Sequence, residues 1–308
     1  MRGLEMKKLF EHSSFYWVRY ERYDLRTAKD GQFYIIPSAD AKPEVYNPLK
    51  DREQMTLDAL NVGMASLLRR PAGKIQRSIL RFVTHYGLLG LMTSLPTTPC
   101  FMDYDAVYLP RNHFIKAEYL STEEYLSCFF PFEKLNIRKS GIEYEWDIEG
   151  ETDMKALAMT FYEQPAAVNM SFQRQYGERY DWVLHQFRDL AYNLLGTFLY
   201  QEDYKILDDT ERSLYRQSVS AFGSIAPYYH ISFLDKQVRP VLVWDFYSLV
   251  SELQMMASAM LVDEEHPVRL CRNCQKVFVA EHPDQRFCCS DCEDEFAIRG
   301  GMKNRKKK

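Results

Sequence analysis

The stretch CRNCQKVFVAEHPDQRFCCSDC, residues 271–292, holds five of the seven cysteines of a 308-residue chain. The spacing is C-x2-C-x13-C-x3-C if Cys271, Cys274, Cys288 and Cys292 act together. It is C-x2-C-x14-C-x2-C if Cys289 takes the place of Cys288. Two close pairs at such a separation read as a zinc site. Zn²⁺ is satisfied by four tetrahedral donors, and a two-residue gap lets both sulfurs of one turn face one ion. Neighbouring side chains of an extended chain point opposite ways, so one of Cys288 and Cys289 ligates and the other is spare. Phe287 and Phe296 flank the pair in a way that suits Cys288. His282 precedes Pro283 and reads as a turn residue rather than a ligand.

A module of about thirty residues buries too little apolar surface to fold alone. One structural Zn²⁺, worth on the order of 10 kcal/mol or more in small peptides, would offset that deficit. The segment between the pairs suggests a hairpin turning at His282-Pro283-Asp284. Ser290 with Glu293 three residues later has the pattern of a capping box. Acids at Asp291, Glu293, Asp294 and Glu295 complement the start of a helix, and Gly300-Gly301 would end it. Knuckle, hairpin and helix in that order describe a treble-clef-like finger.

Outward from the finger, the chain reads as mainly α in an α+β setting. Residues 1–50 suggest a small N-terminal β-hairpin packed on the body, from SFYWVRYERYDL and QFYIIP around Asp30-Gly31. Residues 51–265 suggest a helical domain, with Asp51 placed as an N-cap. A helical stripe runs through Ile75, Ile79, Phe82, Val83 and Tyr86, and the two clearest stripes are Val183, Phe187, Leu190 and Leu194, then Leu249, Val250, Leu253 and Met256. GIEYEWDIEG, residues 141–150, alternates like a short strand. The finger occupies 266–299 and a basic tail 300–308, joined to the last long helix by a short link.

Hydrophobic residues make up 46% of the chain, and 21 Tyr and 19 Phe predict a core rich in rings. No apolar run reaches the roughly 18 residues of a membrane span, and the N-terminus lacks a secretory apolar region. A cytoplasmic protein with no membrane partner is expected, in keeping with isolated thiols at Cys100 and Cys128. Charge is uneven: the whole chain carries −4, whereas residues 269–308 carry +4, with KNRKKK at the end. Phosphate-loop, dinucleotide, zinc-protease and serine-hydrolase motifs are all missing, and the seven histidines are scattered. Nothing in the residues supports an enzyme.

The pattern CRNCQKVFV…QRFCCSDC with its basic tail resembles the C-terminal zinc finger of uncharacterised bacterial proteins related to the CGNR finger. YNPL…ILRFVTHYGLLGLM resembles a second motif of the same proteins. Together these cover residues 46–92 and 269–300. The resemblance implies the metal-ligand role for Cys271, Cys274, Cys288 and Cys292, and DNA-binding regulation as the activity. Where the namesake has Cys-Gly-Asn-Arg, this chain has Cys292-Glu293-Asp294-Glu295, so a phosphate-contact role does not transfer to the helix. Two readings follow. One is a nucleic-acid-associated regulator, with Lys303, Arg305, Lys306, Lys307 and Lys308 as phosphate contacts. The other is a structural or protein-interaction protein in which zinc is only a folding staple.

Overall fold

The computed structural model describes residues 15–98, 101–132, 172–222, 228–233, 238–282 and 284–305. The strand expected at residues 141–150 and the thiol of Cys100 lie outside them.

The chain opens with four strands, β1 Trp17–Tyr20, β2 Tyr23–Thr27, β3 Phe33–Pro37 and β4 Pro43–Tyr46. β2 and β3 form the expected hairpin, turning through Gly31 at φ +78° with the Asp30 carboxylate accepting from Gln32 N. β1 pairs with β4 instead, so the aromatic run read as one strand is broken at Glu21–Arg22. Two helices follow, α1 Arg52–Leu67 and α2 Ala72–Tyr86, then a single turn, α3 Leu91–Ser94. Asp51 stands at the head of α1 without making a side-chain cap; Asn47, one turn earlier, accepts from Leu49 N.

The middle of the chain gives β5 Ala106–Tyr108, β6 Tyr119–Ser121, α4 Thr122–Leu126, β7 Phe130–Pro131 and β8 Tyr176–Arg179. A reciprocal capping box joins Ser121 and Glu124 at the start of α4. After it come α5 Tyr180–Asp203, α6 Asp209–Phe222, β9 Tyr228–Ser232, β10 Val241–Asp245 and α7 Leu249–Leu261. The C-terminal elements are β11 Val268–Leu270, β12 Val277–Val279 and α8 Ser290–Arg305.

A mainly helical body is therefore not what forms. Among the described residues there are five antiparallel sheets, four of two strands and one of four in the order β2-β3-β8-β7. The fold is mixed α+β. The larger sheet depends on a pairing no local pattern announces: Tyr34 of β3 sits opposite Arg179 of β8. The N-terminal hairpin is thus half of a long-range sheet, not a small appended element.

Rings fill the core as the composition predicts. Phe82 meets Phe187 edge-on at 4.8 Å, and Phe101 stacks on Phe172 at 5.4 Å. α1 and α5 approach so closely that a Cβ at Gly63 would fall within 2.7 Å of the Ala191 side chain. Gly87 ends α2 at φ +85°, where a Cβ would overlap the Val18 carbonyl.

The Tyr86-Gly87-Leu88-Leu89-Gly90 stretch is a hub of buried hydrogen bonds. Trp17 Nε1 donates to Leu88 O at 2.9 Å. The carboxylate of Glu178, 1% exposed, accepts from the backbone N–H groups of Leu89, Gly90 and Leu91 at 2.9, 2.7 and 2.8 Å. Gly90 holds the left-handed conformation, at φ +79°, that turns these donors inward. Burial pushes the Glu178 carboxyl up, and the three donors pull against it.

Candidate metal centre

β11 and β12 flank the first cysteine pair. Leu270 lies opposite Val277, and the loop between them carries Cys271 and Cys274. Cys271 N donates to Lys276 O at 2.9 Å and Gln275 N to Cys271 O at 2.8 Å, with Gln275 at φ +62°. This compact knuckle directs both sulfurs to one side. Gln285 N donates to His282 O at 3.1 Å where the turn of a second hairpin is expected, but among the described residues no strand follows β12, which pairs backward with β11. Gln285 bridges its neighbours: its amide accepts from Glu281 N at 2.7 Å and donates to Phe287 O at 3.1 Å. With no separate hairpin after the knuckle among the described residues, the treble-clef order finds no support here.

The second pair arrives at the start of α8. Ser290 is already helical, and Glu293 N donates to Cys289 O at 3.3 Å, so no Ser290 capping box is made. α8 also runs through Gly300 and Gly301 to Arg305 rather than ending at the glycines. Phe287 and Phe296 pack at 5.3 Å, as their offsets predict. The acidic first turn has a use: Glu295 accepts from the Asn273 amide at 2.8 Å, fastening the knuckle to the helix.

The sulfurs of Cys271, Cys274, Cys288 and Cys292 all lie within 4.8 Å of one another and could hold a metal ion. Cys274 to Cys288 is 3.7 Å and Cys288 to Cys292 is 3.6 Å. A tetrahedron with metal–sulfur bonds of about 2.3 Å has edges of about 3.8 Å, so the spacing fits a thiolate-bound ion. It is far beyond the roughly 2.05 Å of a disulfide. Cys288 belongs to the group, whereas Cys289 is exposed and outside it. His282 is exposed and is not among the grouped residues.

The thiols differ electrically. Burial opposes ionisation of Cys271, yet the backbone N–H groups of Cys274, Cys288 and Asn273 outweigh it and bring the thiol down to about 6. Cys288 is pushed up, first by burial and then by hydrogen bonding to the sulfurs of Cys292, Cys274 and Cys271. A dication at the centre of the four sulfurs would supply the positive charge that favours the thiolate form.

Two features were not foreseen. Asn61 of α1 clasps β12: its amide oxygen accepts from Val277 N at 2.8 Å and its nitrogen donates to Val277 O at 3.1 Å. The module therefore docks on the middle of α1, not merely at the end of α7. A polar amide set among Leu57, Leu60 and Met64 is the trace such a role leaves in sequence. The other feature is a group of arginines, Arg269, Arg272 and Arg286, lining one cleft against α5. Of the tail, Lys303 and Arg305 fall in the last turn of α8, and Lys306, Lys307 and Lys308 lie outside the described residues.

Among the described residues no helix is long and apolar enough to cross a membrane. No protein-family model, curated protein or solved structure matches the chain.

Proposed function

We propose that the ion is a single structural Zn²⁺, and that it folds the C-terminal module and holds it in the shape that docks on α1. The observation that carries this reading is the near-tetrahedral sulfur spacing at 3.6 and 3.7 Å. Four soft thiolates in a closed site suit zinc over the hard cations, and they leave no open position for catalysis. The test is metal analysis of the purified full chain. One zinc per chain is the expected result; iron, or no metal with all thiols reduced, contradicts it.

A second reading, nucleic-acid-associated regulation, is favoured by the three arginines gathered on the module and by Lys303 and Arg305 at the end of α8. The likeness to CGNR-type fingers belongs to this reading. The helix turn of Asp291, Glu293, Asp294 and Glu295 points away from it, so any phosphate contacts come from the arginines and the tail. Fluorescence anisotropy with duplex DNA across a salt series tests it. Neutralising about four phosphates predicts a log–log slope near −4. Replacing Lys303, Arg305, Lys306, Lys307 and Lys308 by Gln should flatten it. No binding at low salt leaves the zinc-stapled module without this activity.

A further inference from the structure

A cleft of about 310 Å³ lies between α5 and the metal module. Its two walls differ in chemistry. The body side presents Phe198 and Leu199 of α5; the module side presents Arg269 of β11, Arg272 of the knuckle and Arg286 ahead of the second cysteine pair. Asp284 is the one acid among the lining residues.

The backbones of Arg272 and Arg286 are tied directly to one another. Arg272 N donates to Arg286 O at 3.0 Å, which ties the knuckle to the segment that Gln285 bridges. Among the described residues the guanidinium groups of Arg272 and Arg286 have no ion pair. Both side chains are exposed, on two chain segments that the metal ligands fix at either end. Guanidinium groups converging on a small concavity repel one another unless an anion lies between them, and their planar fork matches a phosphate. A lone phosphate would leave most of the cleft unused. The volume sits at the low end of the roughly 300–1,000 Å³ of small-molecule sites, which are commonly part apolar with a few convergent polar groups.

We propose that this cleft binds a nucleotide, with the phosphates on Arg272 and Arg286 and the base against Phe198 and Leu199. The inference rests on the metal-folded module proposed above and goes beyond it, since the closed thiolate site needs no ligand. The nucleotide has two sources of shared chemistry, a free nucleotide or one residue of a single strand. In the second case the apolar wall would serve as a sequence-tolerant platform.

The test is isothermal titration of the full chain, with metal content measured on each sample. ADP, inorganic pyrophosphate and a ten-residue oligothymidylate are the probes. ADP or the oligonucleotide should bind, and Arg272→Gln with Arg286→Gln should weaken binding about tenfold or more at unchanged metal content. Leu199→Asn, at a position 40% exposed, should weaken ADP a few-fold and leave pyrophosphate unchanged. Binding of ADP alone assigns the free nucleotide, and binding of the oligonucleotide alone assigns the strand. A metal-replete chain that binds neither overturns the proposal, as does a double variant that binds as well as the parent. Pyrophosphate binding as tightly as ADP would show a bare anion site and overturn the nucleotide assignment. A chain without metal fails the zinc reading instead, and the two failures are told apart by the metal measurement.

Discussion

The body and the C-terminal module are stabilised in opposite ways. The body has a continuous apolar core reaching from Phe15 through the rings of Phe82, Phe101 and Phe187 to Val277. The module has Cys271, Phe278 and Ala280 buried, with Phe287 and three more cysteines around them. So little apolar area cannot offset an ordering cost of about 1–2 kcal/mol per residue, whereas metal binding can. The border between the two regimes runs through a single strand. In β12, Val277 belongs to the body core and its neighbour Phe278 to the metal core. Successive side chains of a strand face opposite sides, so one three-residue strand joins both.

Breaking the weaker regime should give the largest effect. Cys274→Ser removes a ligand and forfeits a large part of a binding energy on the order of 10 kcal/mol. Metal content should fall and limited proteolysis should cut within residues 271–305, with the body's thermal transition retained. Cys289→Ser is the paired control, since Cys289 is exposed and outside the sulfur group; its metal content should equal the parent's.

The body holds a comparison of its own, between two buried glutamates. Glu178 has three backbone donors; Glu252 of α7, 0% exposed, has no hydrogen-bond partner on either oxygen among the described residues. Glu178→Gln places an amide against those donors and should cost about 3 kcal/mol or more in urea unfolding, the value of charge-assisted hydrogen bonds lost in a buried site. Asn61→Ala frees both backbone groups of Val277 and should cost about 1–3 kcal/mol. Hydrogen exchange at the Val277 amide should rise at unchanged metal content, which separates docking from metal binding.

The smallest effect should be a gain. Burial raises the Glu252 carboxyl well above its ordinary value of 4.5, and Arg52 only partly opposes it. A raised acid means that the folded state holds the proton more tightly than the unfolded chain. This contribution is fully present below about pH 4.5 and is lost as pH rises toward the folded value. Glu252→Met should therefore stabilise the protein by about 1–3 kcal/mol at pH 8, with the gain shrinking toward pH 4.5. A gain independent of pH would contradict a titrating Glu252.

What could be read beforehand follows the range of the interaction involved. Ligand spacing is local, so the cysteine group is legible, and so are the long amphipathic helices and the Asp30-Gly31 turn. The pairing of β3 with β8 spans nearly half of the chain, and its strands are four or five residues long, so the four-stranded sheet left no local trace. The hairpin expected beyond the knuckle failed for a related reason. Val277–Val279 pairs with β11 and is held by Asn61 of α1, a contact that spans 216 residues and leaves no local trace. The arginine cleft arises only when α5 is brought beside the module, which no spacing of arginines reveals.

The most direct test of a metal-stapled module on an apolar body is hydrogen exchange by mass spectrometry on the full chain, before and after chelation. Removing the metal should abolish protection across residues 271–305 and leave α1 and α5 protected. Protection of 271–305 that survives metal removal, or that collapses together with α1 and α5, would contradict the account.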